Sequence, residues 1–282
     1  MAITNFIPEI WSAQLLSSLK KSLVFAGPGV ANRDYEGAIA ESGDTVKISS
    51  ISRPTIASYT KNSTTITAET LTDAQRSLLI DQAKYFAFEV DDIDLRQSAN
   101  GGALMSEAAV EAAYGLADVA DQYVAGLYTG VDSGNAISTT SVTDAAKAVT
   151  GLINLKVKLD NANVPSQGRY VVVPPWYNAL LLGSDLFVRV DGSGSSEGLR
   201  NGMVGRAFGF DVLVSNNCVN VTGDDWIVQA GYPGAVSFAE QVAKVEAYRP
   251  ESAFSDALKG LHLYGAKLTR PTGIATLTAS IT

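Results

Sequence analysis

GYPGAVSFAEQVAKVEAYRPESAFSDALKGLHLYGAKLTRP, residues 231–271, is the stretch from which the rest of the chain is read. Val236, Phe238, Val242, Val245 and Tyr248 punctuate a strand-like run, which Arg249-Pro250 then breaks because proline cannot donate to a sheet ladder. Ser255–Gly260 leads into Leu261-His262-Leu263-Tyr264, and the alternation up to Pro271 predicts a late strand that closes a sheet.

Working outward, 282 residues at 46% hydrophobic are enough for a sizeable core and more than one compact unit. One histidine and one cysteine are more restrictive. A structural zinc site takes four Cys/His ligands and a catalytic one usually three, so His262 and Cys218 cannot supply either, and no metal or other cofactor is expected. Cys218 has no second cysteine to pair with inside the chain, and ordinary packing is the reading for both residues. Residues 3–19 carry no basic leader, since Lys20 and Lys21 follow the apolar stretch, and no run reaches the length of a membrane span. A formal charge of −8 without a dense Lys/Arg block argues against a sequence-reading DNA binder. It is compatible with a container whose inner wall does not trap nucleic acid.

Along the chain, residues 6–19 predict an amphipathic helix with Ile7, Trp11, Leu15 and Leu19 on one stripe and Pro8 in its first turn. Thr45–Ala57 and Leu78–Val90 read as the two strands of a ribbon, joined by the polar stretch Ser58–Thr72. Thirteen residues per strand would extend about 43 Å. Such a ribbon is marginal alone in water, so it needs a surface, and a partner subunit provides one. A helix of about residues 104–128 follows, its alanines narrowing one face, and it would be roughly 37 Å long. Residues 131–141 read as a domain boundary. Ser141 with Asp144 predicts a capping-box start to a second helix that turns Ala148, Val149, Leu152, Leu155 and Leu159 inward. Arg169–Val173 reads as a buried strand stopped by Pro174-Pro175, with a short helix after it, and Phe210–Val214 and Trp226–Gln229 as further strands.

Taken in order, the ribbon 44–90, the helix 104–128, RYVVVPPWYNALLL (169–182), VGRAFGFDVLVSNN (204–217), GAVSFAEQ and YGAKLTRP resemble the major capsid proteins of tailed double-stranded DNA bacteriophages. No one of these segments is diagnostic alone; the ordered set, which covers most of residues 5–275, carries the resemblance. It implies an α+β chain of the Hong Kong 97-type fold: an N-terminal arm at 1–22 and an extended loop at 44–90. A peripheral, spine-helix domain would comprise 23–43, 91–141 and 247–282, and an axial domain 142–246. It further implies self-assembly as hexamers and pentamers into an icosahedral shell around DNA that is contacted without sequence specificity. A portal, a separate scaffolding protein and a decoration protein are the implied partners. The chain reaches NFIPEIW by residue 5, which leaves no room for a built-in scaffolding segment unless this is the processed form. The implied location is the virion capsid, assembled in the cytoplasm of the host bacterium, and no catalytic role is carried over.

Candidate subunit contacts are Phe6 and Trp11 of the arm, Arg53, Tyr59, Lys61, Arg76, Phe86 and Phe88 of the ribbon, and the acids Asp91, Asp92 and Asp94. The aromatic residues are expected to be buried mainly in the assembly. With Glu89 these acids form a cluster that lacks the glycine and terminal glutamate of a calcium loop. Solvated strand-end acids are the ordinary reading, and salt contacts to Arg33, Arg53 or Arg76 of a neighbour the functional one. Some members of the family cross-link lysine to asparagine, and Lys61-Asn62 sits where such a lysine would lie, although tip lysines are ordinarily just solvated. Two alternatives stand beside the capsid reading. One is an encapsulin-like compartment that holds enzyme cargo. The other is a serine hydrolase at Ser196, in Gly194-Ser195-Ser196-Glu197-Gly198, with Asp211 or Asp225 and His262. That motif requires a strand entering and a helix leaving, and here glycine-rich loops flank it on both sides.

Overall fold

The computed structural model describes residues 24–34, 45–51, 54–66, 68, 70, 73–92, 101–184, 205–251 and 254–282, with the backbone alone for 45–51, 73–76, 101–107 and 241–244. The expected arm helix and the glycine-serine loop at 191–202 lie outside these residues.

The ribbon is shorter than its sequence suggests. Strand β1 (Thr45–Ile51) pairs antiparallel with β2 (Asp73–Leu79), seven residues a side. Pro54 has no N–H to give a ladder, and the chain from 54 to 66 carries no strand. The returning run then divides. Residues 82–91 form β3 (Gln82–Asp91), which leaves the ribbon and pairs with the late strand predicted from the C-terminal motif.

That late strand is β11 (Ser255–Leu268), the centre of a three-stranded sheet between β3 and β10 (Val236–Tyr248). The break at Arg249-Pro250 makes β10 and β11 a long antiparallel hairpin. Helix α1 (Gly101–Ala125), which starts three residues earlier than expected and continues as a tight 3-10 turn at 126–130, lies against one face of this sheet. Its Ala109 and Ala113 are small enough to let Phe86, Phe88, Val90, Val245 and Leu258 approach.

The second sheet has seven strands. Its main order is β4 (Ala136–Ser141), β12 (Ile274–Ser280), β9 (Asp225–Gly231), β5 (Arg169–Val173), β7 (Phe210–Val214) and β6 (Arg206–Ala207), with β8 (Asn220–Thr222) on β9. β4–β12 and β5–β7 are parallel pairs and the others antiparallel. Every residue of β5 is buried. Val171 and Val173 face helices α2 (Ala145–Asn161) and α3 (Pro175–Leu182), while Tyr170 and Val172 join the core under residues 25–31 and the end of α1. A strand covered on both faces reads as a continuous apolar run, which is what RYVVV is. Pro175 opens α3, where a missing N–H costs nothing. At the start of α2, Asp144 itself is the cap, accepting from the Lys147 N–H at 2.8 Å, and Ser141 stays in β4. The anticipated Ser141–Asp144 box is therefore replaced by a single aspartate cap.

The sheets divide the chain at other points than the sequence division did. Residues 136–141 and 274–280 belong to the seven-stranded sheet, although both were grouped with the peripheral part, and β10 belongs to the three-stranded one. The crossings are two turns packed together. The chain leaves β9 through Tyr232–Ala235 and returns through Arg270–Gly273, and the Ala235 carbonyl accepts from the N–H groups of both Thr269 and Arg270. The C-terminal end of YGAKLTRP thus enters the return turn between sheets.

Tyr177 ties α3 to α2 by donating its buried hydroxyl proton to the Ala148 carbonyl at 2.7 Å. Tyr177→Phe keeps the packing and removes this bond, and is expected to lower stability by about 1 kcal/mol in urea titration. A midpoint unchanged within error would show the bond to be energetically idle.

Candidate assembly surfaces

Three surfaces carry the features an assembling subunit needs. The first is the ribbon tip. Ile56, Tyr59 and Ile66 are 86%, 68% and 81% exposed, and every described residue from 54 to 66 is exposed. Lys61 lies in the tip turn, and Asn62 adopts a positive φ of 64° there, which asparagine tolerates better than most residues.

The second surface is the open face of the three-stranded sheet, opposite α1. Along β3 the side chains alternate, with Phe86, Phe88 and Val90 half-buried and Tyr85, Ala87 and Glu89 exposed. Tyr85 is 79% exposed, and Tyr248 and Leu261 share its face. Lys259 sits among them, 3.0 Å from Glu246 and over the Tyr248 ring. A groove of about 380 Å³ runs here, lined by Tyr85–Ala87, Glu246 and Lys259–Leu261. Gly260 forms its floor, because the Phe86 ring lies across it on the other side, 2.3 Å from where a Cβ would stand. Sequence reading missed this face, although the Tyr85/Ala87/Glu89 phase opposite Phe86/Phe88 was visible.

The third is the acidic end of β3. Asp92 is paired within the chain, with the Arg249 guanidinium, which also lies 3.7 Å from Asp256, and the Asp92 N–H donates to the Phe254 carbonyl. Asp91 stands opposite Ser255, and the Ser255 hydroxyl reaches Glu89 at 3.5 Å. The arginine that meets these acids is Arg249, which sequence reading left out. Arg33 is committed elsewhere, 2.7 Å from buried Glu240. Beside this end Phe254 is 82% exposed.

The other candidates fall as follows. Phe6, Trp11, Arg53 and Asp94 lie outside the described residues, and Arg76 stands opposite Ile48 in the ribbon ladder. Phe86 and Phe88 stack on each other, ring centroids 6.1 Å apart, and pack against α1. Much of their apolar surface is therefore already covered within the chain, because β3 left the ribbon for the sheet under the helix.

Polar groups in the interior are structural. Asp121 of α1 is buried and its Oδ1 accepts from the N–H groups of Val24, Phe25 and Ala26, while Oδ2 accepts from the Asn217 side chain at 3.0 Å. Burial and then the Asp121 charge push the neighbouring Cys218 thiol up to about 12, so it stays protonated at neutral pH. His262 is fully buried with Nε2 3.2 Å from Glu240, and Asp211 pairs with Arg206 at 2.5 Å. The serine of that reading, Ser196, lies outside the described residues.

Comparison with known proteins agrees with this arrangement. A protein family described as phage capsid protein matches residues 73–277. A solved structure from Mycobacterium phage Che8 is 34% identical, with a TM-score of 0.74 and 90% of each chain covered. The capsid of cyanophage P-SCSP1u is 18% identical with a TM-score of 0.70, covering 86% of this chain and 85% of the other. An encapsulin complex from Synechococcus elongatus is more distant in fold, at 12% identity and TM-score 0.54, with 76% and 79% covered. Among curated proteins, nothing matches the sequence. With most of its length matched and a relative above 30% identity across nine-tenths of both chains, the protein belongs to the phage capsid protein family and is a major capsid protein of the Hong Kong 97-type fold.

Proposed function

We propose that the subunit assembles as hexamers and pentamers into an icosahedral shell around double-stranded DNA, and that it has no catalytic role of its own. The observation that carries this reading is the ribbon tip, whose three large apolar side chains stand almost fully in water away from either core. Apolar groups grouped on a projection mark a contact surface, and fully burying each contributes about 1.5–3 kcal/mol. Repeated over a closed symmetric array, contacts that are individually weak become collectively strong. In this reading the seven-stranded sheet with α2 and α3 sits around the local axes, and α1 with the three-stranded sheet forms the periphery. Residues 1–22 act as an arm, and the open sheet face and the acidic end of β3 meet neighbours. A scaffolding protein directs closure, a portal admits DNA, a decoration protein can bind outside, and assembly takes place in the host cytoplasm.

Negative-stain electron microscopy of the purified protein, expressed with and without its neighbouring genes, tests this. Closed shells or uniform hexamers and pentamers are expected. Small monodisperse particles under every condition would overturn the reading. Nucleic acid inside the shells would support a capsid, whereas a co-purified enzyme would move the assignment to a cargo compartment.

A further inference from the structure

The open face of the three-stranded sheet is a track with two different ends. At one end the ribbon root closes it, where Leu78 and Ile80 cluster with Leu263. Next along β11 and β3 comes the apolar groove at the Leu261/Tyr85 rung, with Tyr85 79% exposed and Leu261 37%. Beside it Lys259 is held by Glu246 at 3.0 Å. Six residues beyond Tyr85, about 20 Å along the strand, stands Asp91. Among the described residues four acids, Glu89, Asp91, Asp92 and Asp256, meet one cation there, Arg249, so this end of the track is net negative. An apolar groove followed by an acidic end calls for an occupant that is apolar first and basic after.

We propose that this track receives the N-terminal arm, residues 1–22, of a neighbouring copy, with Trp11 in the groove and Lys20-Lys21 toward the acidic end. That the partner is a second copy rests on the assembly reading above. The arm lies outside the described residues, and its sequence carries the match. Ile7, Trp11, Leu15 and Leu19 recur at the i, i+4 spacing by which an amphipathic helix anchors in a groove, and Glu9 is the one acid before Lys20-Lys21. Trp11 to Lys20 is nine residues, about 14 Å of helix before the lysine side chain adds its own reach. That is close to the span from groove to acids. A groove of about 380 Å³ has room for an indole, a side chain often found as the anchor of an interface. The chain's own arm is badly placed to fill it. Its chain enters the body at Val24–Ala26, whose N–H groups are held by Asp121 of α1, and α1 covers the opposite face of the sheet. The ribbon tip fits less well, because Ser, Thr and Asn separate its Ile56, Tyr59 and Ile66. Arm and groove are different surfaces, so each copy gives one and accepts one, and such a head-to-tail contact closes into rings.

Two measurements test the contact. In the first, a fluorescent peptide of residues 1–22 is titrated with the full-length chain at low concentration. Saturable binding is expected, weakened about tenfold or more by Tyr85→Lys in the chain, an exposed position whose change leaves the core alone. In the second, chains carrying only Trp11→Cys are co-assembled with chains carrying only Leu261→Cys and treated with a short bismaleimide. The native Cys218 is buried and its thiol is pushed up to about 12, so it stays unreacted at neutral pH. A covalent dimer from the mixture, absent when either chain is assembled alone, is the expected product and can form only between copies. Closed shells without that dimer would overturn the arm contact and leave the assembly reading standing. Peptide binding that Tyr85→Lys does not change would overturn it too, as would a dimer formed through Tyr59→Cys of the ribbon in place of the arm. Tyr85-dependent peptide binding by a chain that never forms shells would support the contact and count against the assembly reading instead.

Discussion

Deleting Ser58–Thr72 is expected to leave a folded, soluble subunit that no longer closes shells. The described residues of this stretch are exposed and their side chains lie outside every buried cluster, so removing them costs the subunit's own core nothing. In the assembly the same deletion removes Tyr59 and Ile66 from every copy, two of the three large apolar side chains of the tip. At about 1.5–3 kcal/mol for each side chain fully buried, the loss per subunit approaches or exceeds that of a typical weak interface contact, and it is repeated at every equivalent position. Sedimentation velocity and electron microscopy should show free subunits or small capsomers, with circular dichroism and urea midpoint close to wild type. Shells of normal yield and diameter from the deletion would refute the role given to the ribbon.

A larger effect on the subunit itself is expected from Gly265→Val. Where β2 leaves the ribbon and becomes β3, the backbone at Leu79-Ile80 crosses directly over β11. A Cβ at position 265 would stand 2.3 Å from the Leu79 carbonyl oxygen and 3.0 Å from the Ile80 Cα. Neither is the end of a side chain that could rotate away, so a branched residue has to push the ribbon root off the sheet. Leu78 and Ile80, buried there against Ala239 and Leu263, would be displaced with it. The cost is expected to be about 3 kcal/mol or more, at the upper end of overpacking effects. Gly260→Ala offers the comparison, since its Cβ meets the end of the Phe86 side chain and not backbone, and should cost about 1–2 kcal/mol. Equal urea midpoints for the two variants would show that the crossing is not the rigid contact described.

Gly265 also shows where sequence reading stops. YGAKLTRP announced a strand and its end, and β11 runs through Leu268 with the return turn at Arg270–Gly273. Why a glycine stands in that strand depends on a backbone that arrives from residues 79–80, far away in sequence. The same division holds elsewhere. RYVVV was legible because burial on both faces leaves an uninterrupted apolar run, and α2 because Leu152, Leu155 and Leu159 keep the helical period. β4 was read as a boundary because AISTTS is an edge strand with most side chains in water, and its stabilisation comes from backbone pairing with β12, which leaves no inward pattern. The acidic cluster was legible as a cluster, but its cation was not, because Arg249 reaches Asp92 across 157 positions of chain.

By itself the sequence determined the local elements, the order of segments that marks the family, and the shortage of histidine and cysteine that excludes the usual zinc sites. Periodicity, proline and composition are local properties, and they survive reading one residue at a time. Tertiary structure decided which strands share a sheet, where the ribbon ends, which face of the three-stranded sheet stays open, and that Arg33, Glu240 and His262 meet. Those are contacts between distant positions. They are selected by how distant segments pack into shared cores, and no single stretch of the chain encodes them.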